Sequence, residues 1–168
     1  MCHNEKETTP LVDTFDVTLF YHNPNIHPQE EYLKRLEELR KYAEKYDLKL
    51  IETDYEPEVW HNYIKGYEKE PEGGKRCFLC YKLRLETTAK YAAENGFDYF
   101  TSTLSISPHK NAAKINEIGK ELAEKHKLNF IEADFKKQDG FKKACELSRK
   151  EGFYRQEYCG CAYSMRKV

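Results

Sequence analysis

Residues Phe15–Tyr46 read FDVTLFYHNPNIHPQEEYLKRLEELRKYAEKY, and this stretch decides the fold class. Phe15–Tyr21 is an apolar run rich in aromatic and β-branched residues, the composition of a buried strand. His22–Pro28 (HNPNIHP) holds two prolines and two asparagines, which end the strand in a stiff turn. From Gln29 to Tyr46 the apolar residues Tyr32, Leu36, Leu39 and Ala43 recur at three- and four-residue intervals among Glu and Lys, the pattern of a helix with one apolar face. Outward from this unit the order repeats. Leu48–Glu52 predicts a strand and Pro57–Tyr67 a helix with Trp60, Ile64 and Tyr67 on one face. Glu70–Lys75 (EPEGGK) is a loop, and Leu79–Asn95 a helix stopped by Gly96. Phe97–Leu104 reads as a strand, Ala112–Lys127 as a helix, Leu128–Glu132 as a strand and Phe141–Glu151 as a helix, with an irregular tail from Phe153. This alternation predicts an α/β fold of three layers, a parallel sheet with helices on both faces.

Such sheets bind ligands beyond the carboxyl ends of their strands. Three loops fall there: HNPNIHP at 22–28, TLSISPHKN at 103–111 and ADFKKQDG at 133–140. The organisation expected is a polar stretch over residues 1–14 and one α/β domain over 15–168, closing in a Cys-Gly-Cys tail.

Composition narrows the class. Charged residues make up 34% of the 168-residue chain, and no segment offers the ~20 apolar residues of a membrane span. The start, MCHNEKETTPLVDTF, lacks the basic-then-apolar order of a secretory signal. A cytoplasmic protein without a membrane partner is expected. The net charge of -1 gives no global pull toward nucleic acid, so any phosphate contact must come from local clusters. Lys75, Arg76, Lys82 and Arg84 surround one cysteine pair, Arg155 and Arg166 bracket another, and Lys136, Lys137, Lys142 and Lys143 gather near the last loop. A solvated helix face accounts equally well for the last four.

The chemistry is carried by cysteines. Cys77-Phe-Leu-Cys80 is a C-x-x-C at the mouth of a helix, where three-residue spacing puts both sulfurs on one side and the helix N-terminus favours thiolate. Cys159-Gly-Cys161 is a C-x-C whose glycine permits a tight bend. Four thiolates suit tetrahedral zinc or a [4Fe–4S] cluster. Buried incidental thiols and a redox disulfide are the alternatives. Cys145, inside KKACELS, reads as a small core residue, and Cys2 lies in a polar end. Polar residues crowd the loops as well. His22, Asn23, Asn25 and His27 sit around two prolines, and Ser107 or His109 is placed to cap the following helix, with Lys110 set to meet phosphate.

The blocks YHNPNIHPQEEYLKR, EPEGGKRCFLCYKLRLETTA, TSTLSISPHKN and GFKKACELSRKEGFYRQEYCGCAYS together closely resemble the epoxyqueuosine reductase QueH family, from about Phe15 to Ser164. The resemblance implies a fold similar to the adenine-nucleotide α-hydrolase (HUP, Rossmann-like) group. It implies reduction of epoxyqueuosine to queuosine at the wobble position of tRNA by an iron–sulfur oxidoreductase that does without cobalamin. It further implies a [4Fe–4S] cluster, an adjacent mononuclear iron, a tRNA partner and an external electron donor. Cys77, Cys80, Cys159 and Cys161 match the family's cysteine motifs and are expected to bind metal. Tyr21, Asn23, Asn25, His109, Lys110 and Arg155 are the expected substrate contacts. The family also resembles a strand, a Cys-Cys pair with a further Cys and a helix ahead of FDVTLFY, where this chain has fourteen mostly polar residues and Cys2. The expectation is therefore a sheet of order 3-2-1-4-5 lacking its central first strand, and a poorly stable, inactive chain. A four-cysteine zinc module binding nucleic acid or a protein partner is the competing reading.

Overall fold

A computed structural model describes residues 14–137 and 139–165. In chain order the elements are β1 (Thr18–Tyr21), α1 (Gln29–Lys45), β2 (Lys49–Glu52), α2 (Pro57–Tyr63), α3 (Lys75–Glu94), β3 (Tyr99–Phe100), α4 (Ala112–His126), β4 (Asn129–Phe130) and α5 (Gly140–Lys150). They fall into two compact units, residues 14–55 with 139–165, and residues 56–137. The α/β class and the parallel pairing expected from the sequence are both present, as one two-stranded sheet in each unit.

In the first unit β1 runs parallel to β2, from Thr18 opposite Lys49 to Tyr21 opposite Glu52. Burial alternates along β1, with Leu19 and Tyr21 inside, as a pleated strand with one packed face requires. α1 buries Tyr32, Leu36, Leu39, Tyr42 and Ala43, which join Leu19, Tyr21 and Ile26 in one core. Its first turn carries Glu30 and Glu31 and its last Lys45, charges that suit the helix dipole. The buried Tyr21 hydroxyl donates to the Tyr32 carbonyl at 3.1 Å, so this core satisfies its own polar group.

In the second unit β3 runs parallel to β4, with Phe100 opposite Phe130. α3 and α4 press apolar faces together: Tyr81, Leu85, Ala89 and Ala92 from one, Ile115, Ile118, Leu122 and Ala123 from the other. Phe100 and Cys77 complete that core. The Phe130 ring lies where a side chain on Gly119 would stand, so a bare backbone on α4 is what lets β4 approach.

Several boundaries differ from the periodicity reading, and the reasons are local hydrogen bonds. β1 begins at Thr18 rather than Phe15, because its partner β2 is only four residues long. α2 stops at Tyr63, which leaves Trp60 and Ile64 buried but Tyr67 exposed, off the face predicted for it. α3 begins at Lys75, four residues before the predicted start, because the Gly74 carbonyl already accepts from the Cys77 and Phe78 amides. β3 has only two residues, since the Ser102 hydroxyl accepts the Leu104 amide and turns the chain into a 3-10 helix at Thr103–Ile106. The cap of α4 is Asn111, whose side chain accepts the Lys114 amide at 3.0 Å, and not Ser107 or His109. The Ser107 hydroxyl instead accepts the His109 amide. Cys2 and the polar residues 1–13 lie outside the described residues, as does Arg166. Among the described residues no helix is long and apolar enough to cross a membrane.

Candidate functional site

Cys77 and Cys80 stand in the first two turns of α3. Gly73 adopts φ +86°, a left-handed conformation that directs its N–H toward the start of the helix, and that N–H donates to the Cys77 Sγ at 3.2 Å. Arg76, buried one residue before Cys77, donates through Nη1 to the carbonyls of Glu68 (2.8 Å) and Glu70, which fastens the EPEGGK loop to the helix. Cys77 is buried and Cys80 half-exposed, so the pair reaches from the α3–α4 core toward the surface.

Cys159 and Cys161 belong to the first unit and stand on an irregular backbone. Gly160 between them has φ +101°, and a side chain there would fall 2.8 Å from Ile26 Cγ1 and 3.1 Å from Arg35 Nη1. Only glycine fits that bend. The segment is clamped from α1 and from the HNPNIHP loop. Arg35 donates through Nη1 to the Cys159 carbonyl (3.3 Å) and through Nη2 to the Tyr158 carbonyl (3.0 Å), while its Nε pairs with Glu31 at 2.7 Å. The His27 amide donates to the Gly160 carbonyl at 2.7 Å, and the Tyr158 hydroxyl returns a bond to the His27 carbonyl. Tyr55 donates to the Ile26 carbonyl at 2.6 Å. Burial raises the pKa of both Tyr158 and Tyr55, so both hydroxyls remain donors through the neutral range. Cys159 Sγ lies 2.9 Å from the Ser164 hydroxyl, which also bonds the Cys161 carbonyl.

The other predicted site residues take mixed places. Tyr21 is a core residue whose hydroxyl serves the fold. The Asn23 carbonyl closes the loop by accepting the Ile26 amide, and Asn25 is buried at 3% exposure. In the second unit His109 is exposed and Lys110 pairs with Glu72 at 3.3 Å. Arg155 is exposed overall, and its Nη2 donates to the buried Cys145 Sγ at 3.6 Å. The loop that carries Asn23 and Asn25 thus meets the Cys159–Cys161 segment through His27, whereas His109 and Lys110 belong to the unit of Cys77 and Cys80. Arg35, Tyr55, Tyr158 and Ser164 are positioning residues that the sequence reading missed.

The donor set agrees in chemistry with a thiolate-bound metal. No disulfide joins any of the described cysteines, so the four motif sulfurs keep the thiol chemistry such a metal needs. Among the described residues no three His, Cys, Asp or Glu side chains gather around one point, and each unit holds one of the two motif cysteine pairs.

A parallel α/β protein that presents one thiol pair from a helix start and another from a backbone-clamped tail is a candidate thiolate metalloprotein of the Rossmann-like class. Comparison with known proteins makes this specific. The family model described as epoxyqueuosine reductase QueH matches residues 4–167. A relative of that name from Acinetobacter baylyi is 43% identical over 98% of this chain and 76% of its own length. Another from Histophilus somni is 45% identical over 98% of this chain and 68% of its own, and one from Thermotoga maritima is 38% identical over 94% and 83%. The chain belongs to the epoxyqueuosine reductase QueH family.

Proposed function

We propose that this chain reduces epoxyqueuosine to queuosine at the wobble position of tRNA, in place of the inactive chain that the resemblance led us to expect. The observation that carries the reading is the family match over residues 4–167, which holds both thiol pairs and every loop named above. Converting an epoxide to an alkene consumes two electrons and two protons and releases water, so the enzyme needs an external electron donor. Cys77, Cys80, Cys159 and Cys161 are the proposed metal ligands. A [4Fe–4S] cluster with an adjacent iron would supply the single-electron steps and a Lewis acid for the departing oxygen.

The protein's own part is positioning. The Gly73 N–H and the start of α3 fix the Cys77 sulfur, and the Arg35 fork and Ser164 fix the Cys159–Cys161 segment. Rigid placement of ligands is what a redox centre requires, because loosely held thiols bind metal poorly and oxidise readily. RNA contact is supported in the second unit by a groove of about 290 Å³. Lys75, Lys82, Lys114 and Glu121 line it beside Tyr67 and Phe78. Ammonium groups there suit phosphate, and aromatic faces suit an unpaired base.

The test is anaerobic purification of the full chain, with iron, sulfide and zinc determined, followed by turnover of tRNA carrying epoxyqueuosine. Iron with sulfide and formation of queuosine are expected, and C77S or C159S is expected to lose both metal and turnover. One zinc per chain with no conversion would overturn the reading in favour of a zinc-bearing binding module.

A further inference from the structure

The Ser164 side chain stands between two groups that can take its one hydroxyl hydrogen. It donates to the Cys161 carbonyl at 2.7 Å, and its Oγ lies 2.9 Å from the Cys159 Sγ. While Cys159 is a thiol the hydrogen count closes: the S–H donates to the serine oxygen and the O–H to the carbonyl. A sulfur that binds a metal carries no hydrogen, because its proton leaves to solvent as the bond forms. Lone pairs of Ser164 and of the Cys159 thiolate would then face each other across the same gap, unless the serine hydrogen turns. The fold makes that turn inexpensive. The 3-10 turn at Ala162–Ser164 also brings the Ser164 amide to the Cys161 carbonyl at 2.9 Å, so the carbonyl stays paired when the hydroxyl leaves it. A hydrogen bond to an anionic acceptor is roughly twice as strong as one between neutral groups, which decides where the hydrogen goes.

We infer that Ser164 is a positioning residue for Cys159 as a metal ligand: its hydroxyl turns from the Cys161 carbonyl to the Cys159 sulfur when a metal binds, and there draws charge from the sulfur. The inference rests on the ligand role of Cys159 proposed above and adds to it a residue that sets affinity and potential. It holds for iron and for zinc, so it does not depend on turnover. Cys77 supplies the contrast. Its sulfur already accepts the Gly73 N–H at 3.2 Å from fixed backbone, and nothing has to move there. Donors aimed at ligand sulfurs offset negative charge on a bound centre, and removing one lowers its reduction potential.

S164A deletes the hydroxyl and keeps the amide bond to Cys161, while S164T restores a hydroxyl. The full chain, purified without metal under anaerobic conditions, is titrated with Co2+ alone, whose thiolate charge-transfer band reports on the sulfur. S164A is expected to bind Co2+ about tenfold more weakly than the unmodified chain. Its band is expected at lower energy, since sulfur electrons relieved of a hydrogen bond are easier to move. In the iron-loaded protein the midpoint potential of S164A is expected to fall, and S164T is expected to restore all these readings. Weaker binding with an unmoved band and potential would reveal a merely structural hydroxyl and overturn the inference. So would an S164A chain indistinguishable from the unmodified one while C159S loses Co2+. A C159S chain that keeps its full Co2+ affinity and an unmoved band would overturn the ligand role of Cys159 and the inference with it. None of these readings uses tRNA, so failure of the proposed activity shows separately, as absent turnover.

Discussion

The two thiol pairs are held by different physics. Cys77 and Cys80 ride on a helix whose far side is a wall of apolar contacts, Tyr81, Leu85, Ala89 and Ala92 against α4. Cys159 and Cys161 have no helix or strand beneath them, and their place is set by an arginine fork, tyrosine hydroxyls and one left-handed glycine. The first arrangement draws on the non-directional effect of burying apolar surface and on helix geometry for the sulfur spacing. The second draws on directional bonds, each modest in net energy but costly to leave unmade. Two thiols can thus be fixed through the core or through the backbone, and the two solutions should fail under different challenges.

The largest expected effect comes from the apolar side. Leu85 is almost fully buried in the α3–α4 core, and L85A should cost about 2–5 kcal/mol. Denaturant titration measures the loss. Cysteine labelling of the metal-free protein should show Cys77 and Cys80 reacting faster while Cys159 and Cys161 change less; the reverse order would break the comparison. Next is the clamp. R35A removes two bonds to the Tyr158 and Cys159 carbonyls and the pair with Glu31, and should cost about 1.5–3 kcal/mol. Here Cys159 and Cys161 should label faster, and R35K should rescue little because an ammonium cannot span both carbonyls.

Alkali should also divide the regions. Burial pushes the Tyr42 hydroxyl up to about 12 from its ordinary value of 10.0, and Tyr32, Tyr55, Tyr154 and Tyr158 are raised in the same direction, burial leading in each. All five belong to the first unit. A raised folded-state pKa gives stability that is complete below pH 10.0 and lost as pH climbs toward about 12. Tyr42 alone should contribute about 1–2 kcal/mol to that loss, and Y42F should flatten it. Hydrogen exchange between those pH values should show α1 opening before α3. The smallest effect is at the surface. Arg40 grips Glu52 with two bonds of 2.8 and 2.7 Å, yet the arginine is half exposed. R40A should shift the melting curve too little to resolve, and a clear drop would show that surface pairs matter more in this unit than the clamp argument allows.

What the sequence made legible was whatever periodicity or spacing encodes. The span of α1 was readable within one residue, because Tyr32, Leu36, Leu39 and Ala43 all face inward. Both cysteine motifs, and the family blocks around them, were readable too. Boundaries set by single hydrogen bonds were not: nothing periodic announces that Ser102 folds back on Leu104, or that Asn111 caps α4. The clamp was hidden for a further reason. Arg35 and the Cys159 carbonyl are 124 residues apart, and an arginine four places after Glu31 looks like an ordinary helix-surface pair. A faint signal did exist in Tyr154 and Tyr158, since tyrosines flanking a Cys-Gly-Cys have hydroxyls to place as well as rings to bury.

The interrupted makeup of the first unit has a consequence for how the protein is born. A ribosome releases residues 56–137 as one unbroken piece, whose α3–α4 core can close while later codons are still being read. The unit built from residues 14–55 must wait, because its Arg35 fork and its His27 amide have nothing to hold until Tyr158–Gly160 emerge. One thiol pair is therefore fixed early and the other only at the end of that wait.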